Sequence, residues 1–153
     1  MKSRIFGLLA AGILLTPALS QAQEHWNEGP VWQCGSYQTA PGMFDTYLNW
    51  IRKHSEPINA EAKRQGLILD FKTFVKDRSD PNDYDVLFCT LHSSYGKALD
   101  YNKGDDDKAK AISATHWATP DEDKQTEMAS ARLEMRKFLG TTYVREVTLK
   151  PAP

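Results

Sequence analysis

Phe44, Tyr47, Leu48, Ile51, Ser55, Ile58 and Ala62 recur at three- and four-residue steps, and no other stretch restricts the fold as much. That spacing puts one face of a helix against a core. Pro41-Gly42 opens the helix, and Gly66 is placed to close it as a left-handed cap. Pro57 falls inside the stripe, and because the pattern resumes beyond it the expectation is a kink rather than an end.

Strand patterns flank this helix. Residues 31–39 read as a strand with Trp32, Cys34 and Tyr37 among polar residues. Residues 67–76 alternate, with Leu69, Phe71, Thr73 and Val75 pointing one way and Asp70, Lys72 and Lys76 the other. Residues 77–85 are dense in Asp, Asn, Pro and Ser, which build turns through local side-chain bonding and fixed φ. Residues 86–92 form the most apolar strand, expected at the sheet centre. Residues 95–101 suit a short helix broken by Gly104 and Asp105-Asp106-Asp107, and residues 109–117 a second. Thr119-Pro120-Asp121-Glu122 then predicts a helix start, with Thr119 as cap, Pro120 at the first position and Glu122 completing a capping box. Met128, Ala131, Met135, Phe138 and Leu139 make its apolar stripe, Gly140 ends it, and residues 143–149 form the last strand.

The order β-α-β-β-α-β predicts an α+β fold: a four-stranded antiparallel sheet of ferredoxin-like topology with its helices on one face. A right-handed crossover between strands one and two leaves a gap that strand three fills. Cys34 and Cys89 then lie on neighbouring strands. They form a disulfide if the register sets them opposite each other, and are otherwise two buried thiols. Strand parity groups Cys89 with Leu87 and Leu91 under the helices, and Phe88, Thr90 and His92 on the face where a dimer partner would sit.

The start of the chain bears on location. Lys2 and Arg4 precede an apolar run over residues 5–19, and Ser20-Gln21-Ala22 offers small residues before a cut after Ala22. That is the pattern of a cleavable secretory signal peptide over residues 1–22. A membrane span needs about 20 apolar residues, and this run is shorter and broken by Pro17. Residues 23–30 read as a polar lead-in, 31–150 as a single domain, and 151–153 as a tail. Removing twenty-two residues from 153 leaves 131, one domain's worth of chain. Lys2 and Arg4 leave with the leader, so the formal charge falls from −1 to −3. No basic face for nucleic acid is visible. The expected product is periplasmic or secreted and free of the membrane after cleavage.

Three features carry a resemblance. A strand runs into Ala40-Pro41-Gly42 and a helix bearing Phe44 and Tyr47; a long first helix ends in Gln65-Gly66 ahead of a strand; and a strand near the C-terminus reads Tyr143-Val144-Arg145-Glu146-Val147. Together with the element order, these resemble the dimeric α+β barrel superfamily, which includes the antibiotic-biosynthesis monooxygenase-like domains. The resemblance implies a homodimer with two sheets packed face to face, and pockets between helices and sheet. Its enzymatic members include cofactor-free oxygenases, haem-degrading enzymes and isomerases. Haem-degrading members typically use an Asn on the first strand, where this chain has Gln33 and Gln38.

His54, His92 and His116 are the candidates for acid–base work, because imidazole titrates near neutral pH. They lack the spacing of a metal-binding motif, and no cofactor motif is present. Trp50, Tyr37, Phe88 and Trp117 are the candidates for lining an apolar or aromatic ligand site, although a core of this size also uses such residues. Asp77, Asp80, Asp83 and Asp85 lack the register of a calcium loop and read as a solvated turn, as does Asp105-Asp106-Asp107. Three functional expectations follow: a homodimeric scaffold binding a small apolar or aromatic ligand; a cofactor-independent monooxygenase or related enzyme with a histidine moving protons; and haem or metal binding through histidine.

Overall fold

The computed structural model describes residues 25–152, and the leader read in residues 1–22 lies outside them. The described chain runs β1 (Trp26–Thr39), α1 (Phe44–Trp50), a π-helical turn (Ile51–Ser55), α2 (Glu56–Arg64), β2 (Asp70–Val75), β3 (Val86–His92), α3 (Tyr95–Leu99), α4 (Lys103–Trp117), α5 (Glu122–Ser130), α6 (Arg132–Met135) and β4 (Arg136–Leu149). Strand order is β2-β3-β1-β4 with every neighbouring pair antiparallel. This is the expected α+β class, in a ferredoxin-like strand arrangement. No described helix is long and apolar enough to cross a membrane.

The apolar stripe of the first helical segment packs on the sheet. Tyr47, Ile51 and Val86 form its buried centre, with Tyr37, Phe44, Leu48, Trp50, Phe88 and Met135 around them. Full burial of a side chain such as Ile51 or Val86 contributes about 2 kcal/mol. Gly35 lets the Tyr37 ring lie flat on β1, since a Cβ there would sit 2.6 Å from the Tyr37 hydroxyl. Gly66, at φ +73, follows α2 in the left-handed conformation its position predicts.

The helical segment continues past Pro57 rather than ending there. The chain widens into the π-helical turn immediately before it, where the Glu56 N–H donates to the carbonyl of Ile51. Pro57 has no N–H to offer the carbonyl four residues back, and the wider turn absorbs that gap in the ladder.

Four expectations are corrected. β1 starts at Trp26, inside the segment read as a polar lead-in. Gly104 and the Asp run do not break a helix; they form the first turn of α4, capped by the Asn102 side chain, which accepts from the Asp105 N–H at 3.1 Å. Acidic residues are favoured there by the helix dipole. Asp121, not Thr119, caps α5, accepting from the N–H groups of Asp123 and Lys124. Phe138, Leu139 and Gly140 belong to β4 rather than to a helix, because β4 pairs with β1 from Arg136 onward and sets Phe138 against Tyr37.

The parity of β3 is also the reverse of that read from its sequence. Tyr37 pairs with Val86, so Val86, Phe88, Thr90 and His92 share the helix-covered face, and Leu87, Cys89 and Leu91 point to the other. Phe88 is therefore core packing under α1. Cys34 and Cys89 stand directly opposite, Cα atoms 4.1 Å apart, and their sulfurs are bonded at 2.03 Å.

The later helices form a second layer. α4 packs chiefly on α2 and α5, and α6 returns to α1. The space between these layers is the cleft described next.

Candidate functional site

Helical periodicity places Trp50 and His54 one turn apart, so both side chains leave the same face of the α1–π segment. The last turn of α4 brings His116 and Trp117 against them. The ring centroids of Trp50 and His54 are 5.1 Å apart, and those of His54 and Trp117 4.8 Å apart with planes only 12° from parallel. The His54 imidazole is thus held between two indoles. His116 meets it edge-on, with His54 Nδ1 and His116 Nε2 3.1 Å apart. The Arg132 guanidinium also lies over the Trp50 indole, 5.5 Å from its centroid.

This stack lines a cleft of about 500 Å³ between the α1–π–α2 segment and α4, α5 and α6. Its lining includes Trp50, His54, Trp117 and Arg132, with Ser113 and Gln125. The Ser113 hydroxyl donates to Gln125 Oε1 at 2.6 Å, and Gln125 Nε2 donates to the Thr119 carbonyl at 2.8 Å. A smaller space of about 350 Å³, lined by Pro57, Ile58, Ile112 and His116, lies beside it. Ile58 lines both spaces, while His54 lines the first and His116 the second.

Burial lowers the His54 pKa below the usual 6.5, helped by His116 and then Lys53. The ring is neutral at pH 7 and available as a base or as a hydrogen-bonding group. The contact is met by either of two tautomer pairs: with His116 Nε2–H donating to His54 Nδ1, the His54 proton sits on Nε2, and with His54 Nδ1–H donating to His116 Nε2, the His54 Nε2 is an acceptor. The aromatic run continues from Trp50 through Tyr47 and Tyr37 to Phe138. Burial pushes the Tyr47 phenol up to about 12, against the opposing pull of Arg136.

The other sequence candidates fall elsewhere. His92 stands on β3, with Nε2 3.1 Å from the Thr90 hydroxyl and Nδ1 buried without a partner. Burial, then Lys97, pushes its pKa down. Tyr37 is packed between Tyr47 and Phe138 with Arg136 over its ring. Asp77, Asp80, Asp83 and Asp85 do not converge: Asp83 binds Lys76 and Ser79, and Asp85 binds Thr39. Among the described residues no three His, Cys, Asp or Glu side chains are placed to hold a metal ion. Arg132, Ser113 and Gln125 escaped the sequence reading because nothing in their local pattern marks them.

No family model, curated protein or solved structure matches this chain.

Proposed function

We propose that this is an exported protein that binds a small aromatic ligand in the cleft between its two helical layers. The observation that carries this reading is the Trp50–His54–Trp117 stack: three flat rings on one wall of a cleft large enough for a compact ligand. Ligand sites are commonly apolar or aromatic with a few placed polar groups, and Arg132, Ser113 and Gln125 would supply those here. Export is supported by the leader pattern of residues 1–22 and by the Cys34–Cys89 bridge, a bond suited to an oxidising compartment.

The assembly we propose is a homodimer of the dimeric α+β barrel type, with the sheets face to face. Phe74 and Val144 support it: they are 48% and 50% exposed on the sheet face away from α1, around the disulfide. Exposed apolar groups on one sheet face are what a partner sheet would cover.

A second reading is a cofactor-independent oxygenase or related enzyme. The neutral His54, in hydrogen-bond contact with His116 and lining the cleft beside two tryptophans, suits proton transfer. Haem or metal binding has weaker support, since it would rest on two imidazoles already engaged with each other.

The test is tryptophan fluorescence titrated with indole and with benzoate, on the wild type and on Trp117→Ala. The reading expects saturable quenching that weakens at least tenfold in the variant. Absence of saturable quenching by either probe would remove it.

A further inference from the structure

The charges lining the cleft do not balance. Lys110 lies 3.1 Å from Glu122 and 3.4 Å from Asp106, so its charge is met by carboxylates. Arg132 is different. Among the described residues it has no ion pair and no hydrogen bond; its Nε is buried without an acceptor, its guanidinium lies over the Trp50 ring, and its charge also acts on the Tyr47 phenol. An arginine kept half-buried in a cleft without a carboxylate is an uncommon arrangement, because guanidinium is the side chain best matched to bidentate oxyanions.

Arg132 stands beside aromatic surface. The Trp50 indole neighbours both the His54 ring, at 5.1 Å between centroids, and the Arg132 guanidinium, 5.5 Å from its centroid, and all three residues line the cleft. The cleft therefore presents aromatic surface next to an unmet cationic donor.

We propose that the ligand of this cleft is an aromatic carboxylate, its acid group held by the terminal nitrogens of Arg132 and its ring against the aromatic lining. This rests on reading the cleft as a ligand site and goes further by naming the group that Arg132 selects. The one carboxylate lining the cleft among the described residues, Glu122, is paired with Lys110, so it does not meet the Arg132 charge.

The experiment compares matched probes by calorimetry and tryptophan quenching: indole-3-carboxylate against indole-3-carboxamide, which has the same shape without the charge. On the wild-type chain the acid binds roughly tenfold tighter than the amide. In Arg132→Gln the ratio falls towards one, and in Arg132→Lys it takes an intermediate value because the charge stays while the fork is lost. Lys72→Gln, the same change of charge on the far face of the sheet, keeps the wild-type ratio. Thermal melts of each variant identify any that fails to fold, and the Lys variant then carries the comparison. Equal binding of acid and amide to the wild type would overturn the carboxylate assignment while leaving the ligand site standing. A preference retained in Arg132→Gln would overturn the role of Arg132. Binding of neither probe would overturn both the assignment and the site.

Discussion

His54 Nδ1 and His116 Nε2 lie 3.1 Å apart although 62 residues separate them in the chain. The contact joins the π-helical turn to the last turn of α4 and ties the two helical layers together where the cleft opens. It also sets which nitrogen of His54 faces outward, and so links the packing of the helices to the chemistry available at the site.

Stability is expected to fall with acid through this pair. The folded pKa of His54 lies below its unfolded value of 6.5. As pH drops below 6.5 the unfolded chain takes up a proton before the folded one does, and the balance shifts towards unfolding until the lowered pKa is passed. His92 acts in the same direction. Thermal midpoints measured from pH 7.5 to 5 should decline in the wild type and decline less in His54→Gln. Identical slopes would show that His54 does not carry the effect.

The disulfide closes a loop between residues 55 positions apart. Constraining a loop of that length in the unfolded chain is worth about 4 kcal/mol. A Cys34→Ser, Cys89→Ser double variant should unfold at a lower urea concentration by a corresponding amount, and added reductant should lower the wild type to the same midpoint. A midpoint unchanged by both treatments would contradict this.

Ala118 ends α4 in the left-handed region at φ 53, beside His116 and Trp117. A Cβ in that conformation costs about 1 kcal/mol, which glycine avoids. Ala118→Gly should therefore raise stability by about 1 kcal/mol, measured by chemical denaturation. Destabilisation would mean that the methyl group contributes packing larger than the strain.

Asp85 is buried at the start of β3. It accepts from the Thr39 N–H at 2.9 Å and from the Thr39 hydroxyl at 2.6 Å, with Arg78 Nε 3.4 Å away. Asp85→Ala leaves two donors and a cation without an acceptor and should cost about 3 kcal/mol. Asp85→Asn, which keeps one acceptor, should cost less. Equal urea midpoints for the two variants would show that the lost acceptors do not account for the cost.

Much of the frame was legible from local pattern. The stripe from Phe44 to Ala62, the Gly66 cap and the apolar run over residues 86–92 name their elements, because helix and strand repeats put different residues on the buried face. Where two local signals competed, the reading went astray. Phe138 and Leu139 continue a helical stripe, yet partners on β1 hold them in a strand. Asp105-Asp106-Asp107 looks like a loop until Asn102 supplies a cap and Lys97, Lys103 and Lys110 supply counter-charges.

The site divides in the same way. Trp50 and His54 share a helix face by spacing alone, so their proximity was determined within one segment. Their meeting with His116, Trp117 and Arg132 was decided by how α4 and α6 pack on the first helices, and no local rule encodes that docking. The face of β3 that Phe88 occupies was likewise decided by register against β1, since alternation groups residues into two sets without saying which set is buried. The sequence by itself determined periodicity, caps and element order, which depend on neighbours within a turn or two. Only the tertiary structure decided which faces meet, because that depends on contacts between segments far apart in the chain.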